Sequence, residues 1–485
     1  MCDLDFRVGC GRPFLSFALG WYAGFQVGLL LLILLEFVQP VSVSASEFSS
    51  QFKLPPTSND GGPSLKLLPK RLLYQYGYGS DSEIEYKKNP DLNSRAWDHS
   101  LIIKPEFNGY IVYRPTDWIE TSLEGVIERA IPLAKEHPIF ISDEEVIYPT
   151  KHKIEARMEQ AYLRFKKIGS PLELTVGRQI FEDDRHWLYD TALDAVTISL
   201  KGKIQADFSA GREILVDMDT SKEKPDRIDT YITYVEYRGI EYFKLAGYSI
   251  FRYDKDRAEG RPRLFGTRLL GSPNLNFKYW TEWAYLSGHD DLLRDFDAYA
   301  LDMGGVYWLE GLLLDPFLIL DFAYATGDDP KDNKNQEFRQ SGLQSNEVKF
   351  TGIPQVRMYG EALDPELSNL RVITAGLGFR VGTDVTVDFI FHRYRLNQLA
   401  EEIRGAQLTA LLNQDPSQLT RDVGSALDVG LGIRDAFGIR RFGIEIRAGL
   451  FFPGPAHRSF VLSEDGDEAF FPADKGLSVL TKFGW

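Results

Sequence analysis

The feature that most constrains this chain is a repeated alternation of apolar with polar or small residues, in stretches of about ten residues. In "NLNFKYWTEWAYL", for example, Tyr279, Trp283 and Tyr285 alternate with Lys278 and Glu282. We count about 16 to 18 such stretches, separated by polar segments rich in turn-forming residues. Strands with one apolar face and one polar face fit a membrane barrel whose apolar band faces lipid. The sequence therefore predicts an all-β fold, a transmembrane antiparallel outer-membrane β-barrel of about 18 strands with long extracellular loops.

The last eleven letters, "KGLSVLTKFGW", repeat this alternation up to the final residue. One face of the strand holds Leu477, Val479, Thr481, Phe483 and Trp485, and the other holds Ser478, Leu480, Lys482 and Gly484. A membrane barrel leaves no strand edge unpaired, so the terminal strand must pair with the first one. We expect Trp485 to mark a membrane interface. A secreted β-sandwich or propeller also alternates, but it would place its aromatic residues inside.

The amino-terminal region has the composition of a secretion signal. Arg7 and Arg12 precede the apolar run "VGLLLLILL", and small residues in "VSVSAS" offer a cleavage site after Ala45. A retained transmembrane anchor is the alternative. We expect a cleaved signal peptide over residues 1–45, an amino-terminal extension over 46–70 and the barrel over 71–485.

Cysteine content and net charge exclude some classes of function. Both cysteines, Cys2 and Cys10, precede the predicted cleavage site, so the mature chain would have neither disulfides nor thiol chemistry. The formal net charge is −15, which argues against nucleic-acid binding. It does not decide what a local cavity attracts.

The alternation also assigns charged residues to the lumen face of individual strands. Four basic residues fall there, namely Arg447, Arg434, Lys278 and Lys104, and Arg357 is a further candidate because it sits opposite Val356 and Met358. The same faces hold carboxylates, namely Glu106, Glu173, Asp207, Asp321, Asp388 and Glu445. The pattern therefore predicts a pore lining of mixed charge.

The long connections have further features. "IFEDDRHWLYDTAL" is a candidate lid over the pore, and "LNQLAEEIRGAQLTALLNQ" has the apolar spacing of a short helix. "TGDDPKDNKNQEFRQ", "SGHDDLLRDFDA" and "SEDGDEAF" contain clustered carboxylates, but none has the spacing of a calcium loop. We predict no metal site and no cofactor.

Several stretches resemble the alginate export porins of Gram-negative outer membranes. The most specific are "FRQSGLQSNEVKFTG" at Phe338–Gly352 and "YGEALDPELSNL" at Tyr359–Leu370, and others are "VGRQIFEDDRHWLYDTALDAV", "FHRYR" and "AGLFFPGPAH". The resemblance implies a monomeric 18-stranded barrel among outer-membrane lipids that passively exports an alginate-like polyuronate. It also implies two partners in a secretion line, a periplasmic scaffold and an inner-membrane polymer synthase.

The resemblance also assigns site residues. It places Arg447 on one of the family's pore-lining arginine positions, and it places Glu213, Asp217 and Asp190 on acidic positions of the constriction. A planar guanidinium suits carboxylate binding, and spreading the charge keeps any single site from stopping transit. The chain departs from the family at Glu445, Glu347 and Ile180, where arginines would be expected, and at the short connection "RDAFGIRR", where the family can have a long periplasmic plug.

The sequence leaves three other functions to compare with polysaccharide export: a porin, an enzyme and a structural barrel. A general porin, or a porin for another substrate, stays the open alternative because the sequence does not locate the narrowest ring. An enzyme is disfavoured: G-x-S-x-G and H-E-x-x-H are absent from the sequence, and His392 with Asp388 makes only half of a dyad, so we predict no catalytic residue. A structural or adhesive barrel would have a plugged lumen.

Overall fold

The structure, a computed structural model, describes residues 74–93, 99–133, 139–142, 145–147, 153–168, 171–212, 228–255, 260–350, 352–408, 410–462 and 468–485. Within these ranges, 18 strands form one sheet that closes on itself, and every neighbouring pair is antiparallel. The predicted fold class is therefore confirmed. The predicted signal peptide and amino-terminal extension lie outside the described residues.

The wall strands are numbered in chain order. They are β1 Tyr74–Lys88, β2 His99–Thr116, β3 Ile119–Pro132, β4 Lys153–Phe165, β5 Leu172–Glu182, β6 Asp190–Leu200, β7 Ile204–Arg212, β8 Ile228–Ile240, β9 Phe243–Asp254, β10 Arg261–Asn274, β11 Phe277–His289, β12 Ala298–Trp308, β13 Phe317–Ala325, β14 Leu370–Val381, β15 Val385–Leu396, β16 Asp422–Ile433, β17 Gly443–Pro453 and β18 Gly476–Gly484. Three short hairpins in the described ranges are not part of the wall, and they pair Ile139–Ser142 with Glu145–Ile147, Glu347–Val348 with Val356–Arg357, and Arg458–Leu462 with Glu468–Pro472. A 3-10 turn spans Ala436–Gly438.

The terminal strand closes the barrel, as its alternation predicts. β18 pairs with β17 on one side and with β1 on the other, where Lys482 lies opposite Glu83. The N–H of Trp485 donates to the carbonyl of Ser80 at 3.2 Å, which holds the last residue against the first strand. Closure satisfies the backbone of both edge strands, which a barrel in lipid requires.

The two faces of the wall differ in the way that the alternation predicts. On β15, Phe389 and Phe391 are exposed on the outer face, whereas Asp388, Ile390 and His392 are buried on the inner face. The outward apolar side chains form the lipid-facing surface, because a membrane barrel turns its apolar face to the acyl chains. Within the described part of the chain, no helix is long and apolar enough to cross a membrane.

The two ends of the barrel differ in the length of their connections. Short turns at 117–118, 241–242 and 275–276 lie at the end where β1 starts and β18 stops, and long connections such as 326–369 and 397–421 lie at the other. Outer-membrane barrels have short periplasmic turns and longer extracellular loops, so the long connections are extracellular. The stretch "RDAFGIRR" belongs to the periplasmic connection 434–442, which the 3-10 turn closes.

The connection 326–369 does not stay outside the barrel. Its later part, which we call the insert, comprises the described residues of 338–369, and its apolar side chains share one buried cluster with inward-facing residues of the wall. Trp280 of β11, for example, packs against Phe350 of the insert, with the ring centroids 5.8 Å apart. The buried apolar residues of the insert are Phe338, Val348, Phe350, Val356, Met358, Tyr359, Ala362, Leu363 and Leu367. One side of the lumen is therefore packed like the core of a water-soluble domain.

The helix predicted within "LNQLAEEIRGAQLTALLNQ" is wrong for the described residues, which form no helix there. The backbone groups of this connection bond to the insert instead: Gln407 N–H donates to the carbonyl of Leu363 at 2.9 Å, and Glu366 N–H donates to the carbonyl of Arg404 at 3.0 Å. Tertiary hydrogen bonds have replaced the local ones that helical spacing suggested.

Candidate functional site

A second extracellular connection, 183–189, folds into the lumen beside the insert. Trp187 donates from Nε1 to the hydroxyl of Tyr359 at 2.8 Å, and that hydroxyl donates to Asp302 of β12 at 2.7 Å. Arg185 Nη2 also contacts Asp302, at 2.7 Å. This is the stretch that the sequence singles out as a lid, and here it is buried against the insert. The two connections are thus hydrogen-bonded to each other and to the wall inside the barrel.

Arg447 joins the insert to β17. Its side chain is only 1% exposed, and its guanidinium lies 3.1 Å from Glu347, 3.8 Å from Glu361 and 3.5 Å from Glu445. It also donates to the backbone carbonyl of Gln355. Burial raises the pKa of Glu361 to about 7, against the opposing effect of the Arg447 charge. Arg447 therefore lies at the lumen, as predicted, but its charge is shared among carboxylates of this chain.

Two glycines of the wall let the backbone of the insert approach. A Cβ at Gly449 of β17 would lie 2.6 Å from the backbone nitrogen of Ala362, and a Cβ at Gly432 of β16 would lie 2.5 Å from Ile353 Cβ. Both distances are too short for real carbon contacts. The alternation of β16 and β17 therefore needs glycine at these inward positions.

Arg357 is the second arginine of this region. Its Nε lies 3.3 Å from Glu347 and its Nη1 lies 3.1 Å from Asp364, while its backbone N–H donates to Glu361 at 2.7 Å. It belongs to the two-residue strand Val356–Arg357 of the insert and not to a wall strand. Arg357 thus orders the insert from within.

A polar cavity of about 90 Å³ lies between the insert and the seam where β18 meets β1. Four basic side chains line it, namely Lys104, Arg357, Arg447 and Lys482. Four carboxylates line it as well, namely Glu83, Glu85, Glu347 and Glu361, together with Gln407, Ser478 and Leu480. The mixed charge that the pattern predicts is present at this cavity.

Partly exposed ion pairs form the seam side of the cavity. Lys482 Nζ lies 2.7 Å from Glu83, and Lys104 Nζ lies 3.3 Å from Glu85 and 4.0 Å from Glu83. The side chains of Lys482 and Lys104 are 38% and 29% exposed, in contrast to Arg447. Lys104 is therefore at the cavity where the pattern placed it on the lumen face. Lys482 also lines the cavity, but it is not among the site residues that the sequence predicts. The alternation of the terminal strand nevertheless puts it on the inner face.

A further half-buried network lies farther round the same side of the wall. Arg157 of β4 contacts Glu106 of β2 at 3.1 Å, Glu128 of β3 at 2.9 Å and Glu159 at 2.9 Å. Like the seam of the cavity, this part of the inner wall is polar and charged. The inner face of β1 to β4 thus carries charged side chains, in contrast to the apolar packed side.

The other predicted site residues are spread over the molecule. Lys278 lies on β11 near the periplasmic turn, and Arg434 lies one residue beyond the end of β16, exposed in the periplasmic connection. Asp190 is the first residue of β6 and lies 3.1 Å from His186, at the extracellular end. Glu445 contacts Arg447, as described above. Glu213 and Asp217 lie outside the described residues.

His392 is buried on β15, but its carboxylate partner is not Asp388. Its Nε2 lies 3.0 Å from Asp428 Oδ2 of β16, and its Nδ1 lies 2.9 Å from the hydroxyl of Thr374. The same oxygen of Asp428 accepts the backbone N–H of Glu361 at 2.9 Å. The histidine therefore belongs to the attachment of the insert. Of the residues where the family's arginines were expected, Ile180 is exposed on the outer face and Glu347 pairs with Arg447.

A closed 18-stranded antiparallel barrel, apolar outside and polar along part of its lumen, is an outer-membrane β-barrel of the porin type. Solved structures share this fold. The structure of OccK9 (OpdG) of Pseudomonas aeruginosa is 10% identical in sequence and superimposes with a TM-score of 0.53, and the match covers 85% of this chain and 97% of that one. OccAB3 of Acinetobacter baumannii shares 11% identity, with a TM-score of 0.51 and coverage of 85% and 99%. At such identities the similarity concerns the fold alone.

The chain belongs to the alginate export family, whose model matches residues 71–467. It is 28% identical over 181 residues to the alginate production protein AlgE of Azotobacter vinelandii, a match that covers 34% of this chain and 36% of the relative. It is 26% identical over 225 residues to AlgE of Pseudomonas aeruginosa, covering 39% and 44%. The matches thus span less than half of the length of these curated relatives. The resemblance to the family, and with it the outer-membrane location, is confirmed.

Proposed function

We propose that this barrel is a passive outer-membrane channel that exports an anionic polysaccharide, an alginate-like polyuronate. The observation that carries the proposal is the cavity at the seam, where basic side chains from β2, the insert, β17 and β18 converge. A polyuronate carries one carboxylate per sugar, and fixed positive charge offsets the hydration that these groups lose in a narrow passage. Family membership and the name of the AlgE relatives support the same substrate class.

The basic residues have different roles in this proposal. Lys104 and Lys482 are partly exposed and contact the polymer, whereas Arg447 and Arg357 are held by carboxylates and keep the insert in place. Lys278 and Arg434 attract the chain at the periplasmic entrance. Asp190, Glu213, Asp217 and Glu445 space the carboxylates of the polymer along the path and keep binding weak enough for release.

The energy for export comes from outside the barrel. Synthesis by an inner-membrane polymer synthase pushes the chain, and a periplasmic scaffold delivers it to the short-turn end of a monomeric barrel. The fixed insert fits this role, because a passive conduit needs a constant passage and no moving part that consumes energy.

The proposal is tested by single-channel conductance of the refolded protein in a planar bilayer, with oligomannuronate added. We expect block by the oligomer, and about tenfold weaker block in the double variant Lys104→Gln/Lys482→Gln, because two partly exposed ion contacts are lost. The control is Lys203→Gln/Lys331→Gln, which removes two exposed lysines in connections between strands. Equal block in both variants would contradict a role of the cavity.

A general porin is the second candidate, and one observation favours it. The cavity has as many carboxylates as basic groups, so its fixed charges nearly cancel. A general porin would conduct small ions without block by oligomannuronate in the same experiment.

A further inference from the structure

We propose that Glu83 and Glu85 compete, inside the channel, with the carboxylates of the substrate. In the resting channel they form ion pairs with Lys482 and Lys104. A carboxylate of the entering polymer displaces them from the lysines, and the ion pairs form again after that sugar has passed. The inference rests on the proposed function, because it concerns the same cavity. It explains why a channel for a polyanion has carboxylates beside each exposed lysine.

The geometry that supports this inference is a row of three residues across three strands. Glu83 of β1 lies directly opposite Lys104 of β2 on one side and directly opposite Lys482 of β18 on the other. Side chains at directly opposed positions on one face of a sheet are close neighbours. The Glu83 carboxylate accordingly lies 2.7 Å from one ammonium group and 4.0 Å from the other. One carboxylate thus serves two lysines.

Glu85 continues the row along β1. Its Oε2 lies 3.3 Å from Lys104 Nζ, and its Oε1 lies 2.7 Å from Lys87 Nζ. Lys104 therefore has two carboxylates of β1 within reach, Glu83 directly opposite and Glu85 two residues farther along the strand. A lysine that leaves one of them still has the other within reach.

Exposure separates this row from the arginine cluster of the insert. Ion pairs in contact with water contribute little net free energy, since water and mobile ions replace each partner at low cost. The side chains of Lys104, Lys482 and Glu83 are about one third exposed, so their pairs can exchange with a soluble carboxylate. Arg447 is buried among three carboxylates, and losing one partner there is costly. The exchangeable pairs therefore lie on the seam and the fixed ones on the insert.

The functional consequence is a short residence time for each sugar. Conduction requires that binding be favourable enough for entry and weak enough for departure. Without Glu83, Lys482 would have no carboxylate of this row beside it and Lys104 only Glu85, and the two lysines would form a site that holds the polymer for longer. The competing carboxylate converts that site into one that binds briefly.

The test is the dwell time of oligomannuronate in single channels of the full refolded barrel. We expect Glu83→Gln to lengthen each blocking event about fivefold, because the substrate then meets no competing carboxylate at Lys482 and only Glu85 at Lys104. Of the two cavity lysines, Glu85 contacts only Lys104, so Glu85→Gln should lengthen the events less. The matched control, Glu310→Gln, removes an exposed carboxylate in the periplasmic turn between β12 and β13 and should leave the dwell time unchanged.

The outcomes separate this inference from the proposed function. Block of the unaltered channel with unchanged or shorter dwell in Glu83→Gln overturns the inference and leaves polyuronate export standing. Block only after Glu83→Gln supports the competition and overturns export by the unaltered chain. Block in neither channel overturns both.

Discussion

The backbone N–H of Glu361 lies 2.9 Å from Asp428 Oδ2, so a side chain of the barrel wall holds the backbone of the insert. The same oxygen lies 3.0 Å from His392 Nε2. The N–H of Glu361 and the Nε2 of His392 are both buried. Removal of the Asp428 carboxylate would take this contact away from both of them. The contact therefore bears directly on how firmly the insert is held.

We expect Asp428→Ala to weaken the attachment of the insert by about 1–3 kcal/mol, the usual cost of a buried polar group left without a partner. Hydrogen exchange of the amides in 356–364 measures the loss, which should appear as faster exchange there than in the wall strands. Asp384→Ala removes an exposed carboxylate in the turn between β14 and β15 and serves as the control. Unchanged exchange in Asp428→Ala would mean that other contacts hold the insert.

Gly449 offers a test of the close approach between wall and insert. Gly449→Ala should displace the insert, because the new Cβ would lie 2.6 Å from the nitrogen of Ala362 and 2.7 Å from Glu361 Cβ. Gly443→Ala on the same strand meets nothing nearer than 3.8 Å and is the matched control. Limited proteolysis of the folded barrel should cut the insert faster in the first variant only. Equal cutting would show that the insert accommodates the methyl group.

Arg447 should matter more for stability than for contact with substrate. Arg447→Met keeps much of the volume but leaves Glu347, Glu361 and Glu445 without their shared cation, at a cost of about 3–5 kcal/mol. Urea-induced unfolding in lipid vesicles measures this loss of unfolding free energy. Arg434→Met, in the exposed periplasmic connection, should change the unfolding free energy by less than about 0.5 kcal/mol. Similar stability of both variants would contradict the structural role.

His457 predicts a pH dependence in the extracellular connections. Burial lowers the pKa of this histidine to about 4, and a backbone bridge joins it to Leu412 of the neighbouring connection. Between pH 6.5 and 4 the unfolded segment binds a proton that the folded one does not, so stability is complete above pH 6.5 and is lost as pH falls. The loss amounts to up to about 3 kcal/mol.

The measurement is hydrogen exchange at Asn413, whose N–H donates to the carbonyl of Ala456 at 2.8 Å. Exchange, corrected for its intrinsic pH dependence, should quicken as the pH is lowered from 7 to 5. In His457→Phe, which cannot be protonated, the corrected rate should stay constant over that range. A pH response that survives in this variant would assign it to another group.

The sequence predicts the wall of the barrel because strand alternation is a local property. Phe389 and His392 differ in environment only because successive residues point to opposite faces, which needs no knowledge of distant residues. The terminal strand is predicted for the same reason. Closure on β1 then follows from the requirement that a membrane barrel leave no edge.

The site is predicted less completely because it depends on register and on distant contacts. The alternation pairs His392 with Asp388 on its own strand, whereas its carboxylate partner is Asp428 on the next strand. The alternation assigns Lys482 to the correct face. Its position beside Glu83, however, follows only from the register in which β18 pairs with β1. The insert is not predicted because its position depends on contacts between residues far apart in the sequence, such as the hydrogen bond between Tyr359 and Trp187.

The packed side of the lumen has a consequence for assembly in the membrane. Phe350 and the other apolar side chains of the insert are buried against strands such as β11 and β13, which come together only when the wall forms. An insert left outside would expose these side chains to extracellular water and leave Trp280 and Ile319 facing a wet interior. We therefore expect wall closure and the folding of the insert to be coupled, and an assembly intermediate with a finished wall and an empty interior to be unstable.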